Sequence, residues 1–283
     1  MRIIFITALT ACLGLAAPPA RAAEVVKPSS AAPNVTVLAE KLAMPGLNRE
    51  RGLRIYLPPS YAKSPAKRYP VLYMHDAQNL FDAATSFAGE WGVDETLNEL
   101  AAKQGLELIV VGIDNGGEQR LSELTFFPSG ASPKPEGEAY LRFIVEVVKP
   151  LVDQRYRTLP DRAHTGMMGS SLGGLITHAA LLRYPQVFGR LGFFSPSYWA
   201  SMRMYDEAGL TPVPKDTRIY LYAGGSEGGG MDTDALHMSG RLMQANPDTP
   251  IEIRIAPLAQ HNEAAWRAEF PRAVSWLFFP AAP

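Results

Sequence analysis

Two hydrophobic patterns alternate along most of the chain. Short apolar runs predict buried strands, and longer segments with apolar residues every three or four positions predict amphipathic helices. The predicted strands cover residues 34–38, 51–57, 69–74, 106–114, 163–168, 191–194, 218–223 and 251–256. The predicted helices cover residues 94–103, 137–156, 175–184 and 263–279, and the second of them contains Pro150, which predicts a kink.

The order of these elements predicts an α/β fold. Strands that alternate with helices form a mainly parallel central sheet with helices on both faces. Residues 115–136 are rich in Gly, Pro and Ser and interrupt the alternation, which predicts a long surface loop. We expect residues 23–48 to form an N-terminal tether with a first strand, and residues 49–283 to form a single α/β domain.

The N-terminal residues have the pattern of a secretory signal. Arg2 precedes an uncharged apolar run over residues 3–17, and Ala20-Arg21-Ala22 supplies small residues for cleavage, which predicts a signal peptide at 1–22 and export to the periplasm or the extracellular space. The segment is too short to favour a stable membrane span. Cys12, the only cysteine, leaves lipoprotein processing with a lipid anchor at this residue as an alternative. A chain cleaved after Ala22 has no thiol for a disulfide or a zinc site.

Composition and charge exclude several function classes. Hydrophobic residues make up 47% of the chain and charged residues 19%, as in a globular protein with a substantial core. The formal net charge is −1 and no basic stripe is present, which argues against a nucleic-acid partner. No H-E-x-x-H motif or comparable cluster is found, so we expect no metal and no cofactor. The oligomeric state is left open.

A glycine-rich turn supplies a candidate nucleophile. Gly169-Ser170-Ser171-Leu172-Gly173-Gly174 follows a predicted strand and precedes a predicted helix, which is the context of a G-x-S-x-G nucleophile elbow. In that register Ser171 is the nucleophile, because Ser170 would place Met168 and Leu172 where the elbow needs glycine. The backbone N–H of Leu172 would then point at the oxyanion of an acyl-transfer reaction. The elbow makes 49–283 an α/β-hydrolase domain.

A serine nucleophile needs a base, and five histidines are available. His261 is preferred because it lies on a loop near the C-terminus, where the α/β-hydrolase order of Ser, acid and His places the base. His178 is expected to pack on a helix, His237 lies on a predicted surface helix, and His164 begins a strand. His75 ends a strand beside the presumed active edge and is expected to line the substrate cleft.

The acid is expected between the serine and the histidine. Glu227 follows the predicted strand 218–223 and is the preferred residue, with Asp232 and Asp234 in the same glycine-rich region as alternatives. A second oxyanion donor is expected from the loop after strand 69–74, as a backbone N–H of Ala77 or Gln78.

With these residues in place, the chain resembles the putative-esterase family of α/β hydrolases, which includes esterase D, siderophore esterases of the enterochelin type, feruloyl and acetyl xylan esterases and the mycolyltransferases. The resemblance runs from about Arg51 to Phe279. The matching segments are 54–59, 69–82, 110–115, 169–174, 195–197, 224–227 and 261–263, together with Trp266.

The resemblance implies Ser171 as nucleophile, His261 as base and Glu227 at the acid position. It also implies that Trp91, Arg120 and Trp199 border the substrate cleft. The leading hypothesis is a secreted serine carboxylic ester hydrolase that works through an acyl-enzyme, on a small-molecule or polysaccharide-linked ester. The alternatives are an acyltransferase of the same fold and a non-catalytic binding protein on a hydrolase scaffold.

Overall fold

The computed structural model describes residues 27–279, so the predicted signal peptide and Cys12 lie outside the described residues. Ten strands are present: β1 Val35–Val37, β2 Leu42–Met44, β3 Arg49–Arg51, β4 Leu53–Tyr56, β5 Val71–His75, β6 Ile109–Ile113, β7 Thr165–Ser170, β8 Arg190–Phe194, β9 Arg218–Gly224 and β10 Ile251–Ala256.

Eight of these strands form one sheet in the order β1-β4-β6-β5-β7-β8-β9-β10. Strands β5 to β10 run parallel, whereas β4 is antiparallel to both β1 and β6. The inner strands are buried along their whole length, as expected of a sheet covered on both faces. The predicted α/β-hydrolase fold with a mainly parallel sheet is thus confirmed.

Eight α-helices accompany the sheet in the described residues: α1 Val93–Gln104, α2 Arg120–Glu123, α3 Gly137–Phe143, α4 Lys149–Arg155, α5 Leu172–Arg183, α6 Arg203–Leu210, α7 Met231–Ala245 and α8 Glu263–Phe278. The core divides into two clusters, in which β5 contributes Tyr73 to one and Leu72 and Met74 to the other. Because neighbouring residues of a strand point to opposite faces, the two clusters lie on opposite sides of the sheet. No helix within residues 27–279 is long and apolar enough to cross a membrane.

The structure differs from the sequence predictions at the N-terminal side of the sheet. The predicted strand 51–57 is two strands that are separated at Gly52. A boundary at residue 48 falls within a hairpin, because β2 pairs with β3 across it. The first strand, β1, pairs with β4 of the main sheet. The segment up to residue 48 is therefore joined to the following residues by backbone hydrogen bonds.

Two helical segments also depart from prediction. The predicted 137–156 helix is interrupted just before Pro150, because a π-helical segment, Ile144–Val148, separates α3 from α4. The 115–136 loop contains α2, in which the Glu123 carboxylate is buried against Arg51 at 2.6 Å. Helix α2 is too short, and has too few apolar residues, to be predicted from hydrophobic periodicity.

The carboxyl ends of the six parallel strands share one edge of the sheet. Ser171 follows β7 directly and is succeeded by α5, which begins three residues earlier than predicted. Asp76 follows β5, Ser195 follows β8, Glu227 lies just beyond β9 and His261 beyond β10. Ligands of open α/β sheets bind at this edge, so residues far apart in sequence can meet there.

Candidate active site

Ser171 occupies a strained turn between β7 and α5. Its backbone has φ 57° and ψ −123°, a conformation that L-residues rarely adopt. Its N–H donates to the carbonyl oxygen of Phe194 at 2.9 Å, which ties the turn to β8. The strain projects the side chain beyond the sheet edge, as a nucleophile elbow requires.

The glycines of the elbow differ in how strictly they are needed. A Cβ on Gly169 would lie 2.8 Å from the carbonyl carbon of Gly173 and 2.8 Å from Cδ2 of His75, closer than packed atoms allow. A Cβ on Gly173 would find its nearest neighbours at 3.4 Å. The first glycine of the motif is therefore required by close packing, whereas the second has more room.

His261 and Glu227 form a hydrogen-bonded pair next to the elbow. The His261 Nδ1 lies 3.0 Å from Oε2 of Glu227, whose side chain is completely buried. With the proton on Nδ1, the imidazole donates to the carboxylate and exposes Nε2 as a free base. The ring of His261 also packs edge-on against Trp266, with a centroid distance of 5.1 Å.

The second oxygen of Glu227 is fixed by two donors. Oε1 accepts a hydrogen bond from the Ser195 hydroxyl at 2.5 Å and one from the N–H of Gly224 at 2.6 Å. The indole N–H of Trp266 donates to Ser195 Oγ at 2.9 Å. The buried carboxylate is thus held by a chain of hydrogen bonds that leaves its other oxygen facing His261.

The Ser171 hydroxyl is hydrogen-bonded to Ser197, with an Oγ–Oγ distance of 3.0 Å. The Ser197 N–H also donates to the Ser171 carbonyl at 3.1 Å. In this arrangement the Ser171 hydroxyl is bonded to Ser197, and within the described residues it forms no hydrogen bond with His261. Hydrogen bonds of catalytic groups are often completed only when a substrate is bound.

The loop after β5 places amide groups beside the elbow. Asp76 has a left-handed backbone with φ 57°, and Ala77–Asn79 form a short 3-10 turn. Within residues 27–279, the N–H groups of Ala77, Gln78 and Leu172 all donate to no protein acceptor. Gln78 lies on the cavity wall described below, whereas Ala77 is fully buried, which favours Gln78 as the donor that faces a ligand.

A cavity of about 590 Å³ opens at this edge and contains Ser171 and His261 on its wall. This size suits a small-molecule ligand. Amide, hydroxyl and aromatic side chains line the wall. The polar members are Gln78, Asn79, Thr85 and Asn115, and the aromatic members are Phe87, Trp91 and Trp266.

Three further charged side chains line the cavity: Asp76, Arg120 and Glu263. Arg120 binds the Asp76 carboxylate with two hydrogen bonds, Nε–Oδ1 2.6 Å and Nη2–Oδ2 2.9 Å. Burial acts to lower the pKa of Arg120, but the hydrogen bond and negative charge of the Asp76 carboxylate outweigh the effect of burial, and the pKa is raised. Burial raises the pKa of Glu263, and the negative charge of Asp76 adds to the effect.

The structure brings some predicted cleft residues together and not others. Trp91 and Arg120 lie on the described cavity wall, whereas His75 and Trp199 do not. His75 is buried beneath the elbow, where Nδ1 contacts the Tyr140 hydroxyl at 2.8 Å, and burial lowers its pKa to about 4. Trp199 lies in a 3-10 turn after Ser197 and points its ring to solvent, with 57% exposure.

The remaining candidates lie away from the serine. His178 is buried, with Nδ1 3.1 Å from the Tyr198 hydroxyl, and burial lowers its pKa to about 3. Asp232 and Asp234 lie in the first turn of α7, where the Asp232 carboxylate accepts the N–H of Thr233. Neither aspartate contacts His261 among the described residues.

Sequence reasoning assigned no role to Ser195, Ser197 or Glu263. The first two belong to the matching segment 195–197, and a positive φ of 44° at Ser195 marks a special turn. Glu263 is the first residue of α8, two residues after His261, so the favourable position of a carboxylate at a helix N-terminus explains it without a ligand. Only the positions of these side chains beside Glu227 and Ser171 reveal their relation to the site.

Known proteins share this sequence pattern and this architecture. The uncharacterized protein YbbA of Bacillus subtilis is 28% identical over 81% of this chain and 92% of its own length. The ferri-bacillibactin esterase BesA of the same organism is 27% identical over 55% of this chain and 57% of its own. The enterobactin esterase FES of Shigella flexneri, solved in the presence of enterobactin, superimposes with a TM-score of 0.71 at 21% identity, over 89% of this chain and 61% of that one.

The sequence profile of the putative-esterase family matches residues 45–277, which is most of the chain. The match includes every residue of the elbow, the His261–Glu227 pair and the cavity wall. The chain therefore belongs to the putative-esterase family and is an enzyme of the carboxylic ester hydrolase class.

Proposed function

We propose that the chain is an exported serine esterase that hydrolyses a carboxylic ester through an acyl-enzyme. The observation that carries the proposal is a shared cavity wall: Ser171 lies there with His261, and His261 is bonded to the buried Glu227 carboxylate. The proposal of export is supported by the signal-like residues 1–22.

In the proposed reaction, the Ser171 hydroxyl turns from Ser197 towards Nε2 of His261. Oγ attacks the carbonyl carbon of the ester while Nε2 accepts the hydroxyl proton, and Glu227 stabilises the resulting imidazolium. The N–H groups of Leu172 and Gln78 stabilise the oxyanion of the tetrahedral intermediate. Collapse of the intermediate breaks the bond to the alcohol, which leaves with the proton from Nε2.

The second half of the reaction repeats these roles with water. His261 removes a proton from a water molecule, which attacks the acyl carbon of the Ser171 ester. The carboxylic acid leaves, and Oγ recovers its proton from Nε2. If an alcohol takes the place of water, the same residues transfer the acyl group instead.

The substrate is proposed to be a small-molecule or polysaccharide-linked ester. The cavity volume fits one substrate arm, and Phe87, which is 93% exposed, offers aromatic surface to it. By their names, BesA is a ferri-bacillibactin esterase and FES an enterobactin esterase, and a relative from Xylanibacter ruminicola is an endo-1,4-beta-xylanase/feruloyl esterase. A siderophore ester and a feruloyl ester are therefore the first substrates to test.

The test is covalent labelling combined with a panel of esters. The purified protein is incubated with a fluorophosphonate and digested, and the labelled peptide is identified by mass spectrometry. We expect one label on Ser171 and turnover of an activated ester such as 4-nitrophenyl acetate. Absence of both would overturn the proposal, and an ester formed with added alcohol in preference to the acid would assign an acyltransferase.

Ser195 is expected to act as a positioning residue for Glu227. Replacing Ser195 with Ala removes a hydrogen bond to a charged carboxylate, which is worth about 1.5 kcal/mol, so kcat should fall about tenfold while KM changes little. The measurement is steady-state hydrolysis of 4-nitrophenyl acetate. Ser226→Ala is the matched control, because this exposed serine lies on the same loop as Glu227 and its hydroxyl donates to the carbonyl of Pro257. Equal losses in both variants would contradict the role of Ser195.

A further inference from the structure

The positive charge on the cavity wall is paired with a carboxylate. Within residues 27–279, Arg120 is the only lysine or arginine on the wall, and both of its hydrogen bonds to protein go to Asp76. Arg54, behind Thr85, is paired with Asp114 at 3.0 Å. An anionic substrate would therefore find no uncompensated cation on this wall.

Glu263 gives the cavity an excess of negative charge. Its carboxylate lines the wall two residues after the candidate base, and Oε1 accepts a neutral hydrogen bond from the Asn79 amide at 3.2 Å. Arg120 offsets one of the two wall carboxylates, Asp76 and Glu263, so one negative charge remains. Glu227 adds another immediately behind His261.

The position of Glu263 is fixed by the loop that forms the aromatic side of the cavity. Asn79 donates to Glu263 through Nδ2 and accepts the N–H of Phe87 at 3.1 Å through Oδ1. The phenyl ring of Phe87 is 93% exposed at the rim. The Asn79 side chain thus joins the Glu263 carboxylate to the backbone of Phe87 by two hydrogen bonds, and both residues line the same cavity.

We infer that Glu263 is a specificity-determining residue that selects uncharged esters and disfavours anionic ones. A ferric tris-catecholate complex, which carries three negative charges, belongs to the disfavoured class, whereas the iron-free ester with neutral catechols belongs to the accepted class. The inference rests on the proposed esterase function, because it assigns the substrate class of the same site. Like charges in a partly desolvated cavity repel, and buried carboxylates make the repulsion stronger than at an open surface.

The test compares two acetate esters that differ in one charge. 4-Acetoxybenzoate is anionic and 4-acetoxybenzamide is neutral, and both release acetate from a substituted phenol of the same shape. The quantity measured is the ratio of kcat/KM for the amide to that for the carboxylate, after each value is divided by the rate of hydroxide hydrolysis. Dependence on the proposed Ser171–His261 machinery is common to both esters and cancels in the ratio.

We expect the wild-type enzyme to prefer the neutral ester by about tenfold or more at low salt. The Glu263→Gln variant should reduce this ratio about fivefold, which is the size expected of one charge interaction across several ångströms of partly hydrated protein. Added sodium chloride should also reduce the ratio, because salt screens the repulsion. Glu118→Gln is the matched control, since Glu118 is exposed beside the cavity but is not on its wall; this variant should leave the ratio unchanged.

Three outcomes separate the two proposals. A preference for the anionic ester would overturn the inference about Glu263 and leave the esterase function standing. Equal effects of Glu263→Gln and Glu118→Gln would also overturn it. Failure to hydrolyse either ester, together with no labelling of Ser171, would instead overturn the proposed function.

Discussion

Replacing Ser171 with alanine is expected to lower kcat/KM for an activated ester by at least about 10⁴-fold, because the variant has no oxygen to form the acyl-enzyme. The strained backbone at this position, with φ 57°, is no worse for alanine than for serine. The fold should therefore survive, and a thermal unfolding curve like that of the normal protein would confirm it. Kinetics with 4-nitrophenyl acetate measure the loss.

The adjacent serine is the matched control for this experiment. Ser170 ends β7 and lies on the same cavity wall, one residue before the candidate nucleophile. We expect Ser170→Ala to lose less than about tenfold in kcat/KM, as a change in packing without loss of the nucleophile. A greater loss at Ser170 than at Ser171 would show that the register of the elbow is wrong.

Replacing Glu227 with glutamine is expected to lower kcat about 10³- to 10⁴-fold, because it favours the wrong histidine tautomer. The amide oxygen of glutamine can still accept from Ser195 and Gly224, as Oε1 does now. The NH2 group is then turned towards Nδ1 of His261, which must become an acceptor. The proton moves to Nε2, and the imidazole can no longer remove a proton from Ser171.

The two aspartates of α7 provide the comparison. Asp232 accepts a hydrogen bond from the N–H of the next residue, and Asp234 contributes its main-chain carbonyl to Tyr205. Neither arrangement reaches His261, so Asp232→Asn and Asp234→Asn should change kcat by less than about twofold. A larger loss at either aspartate than at Glu227 would show that the acid of the triad is that aspartate.

Ser171 and His261 could be chosen from the sequence because local signals define them. The glycines around Ser171 indicate a tight turn with no room for a side chain at Gly169. Because the residues that form this turn are consecutive, the motif is visible in the sequence. His261 was chosen because it follows the last strand, and the chain order of the fold places the base there. For the acid, the sequence leaves three candidates, because Glu227, Asp232 and Asp234 all follow the same strand within one glycine-rich stretch.

His75 and Trp199 show the limit of placing side chains from the sequence. His75 ends β5 at the carboxyl edge of the sheet, which predicts that it lines the cleft, and the family resemblance implies the same for Trp199. In the structure His75 turns into the core towards Tyr140, and the Trp199 ring turns to solvent. The direction of a side chain depends on the elements that pack around it, and those come from distant parts of the chain.

The sequence by itself determined the α/β fold, the elbow at Ser171 and the family, because these depend on hydrophobic periodicity and on short motifs of neighbouring residues. Only the tertiary structure decided that Glu227 contacts His261, that Ser195 and Gly224 hold its second oxygen, and that Asp76 is hydrogen-bonded to Arg120. It also placed Glu263 on the wall of the cavity. These contacts join side chains that follow different strands and meet at one edge of the sheet. Because the residues are far apart in sequence, their hydrogen bonds produce no periodic pattern or short motif from which they could be predicted.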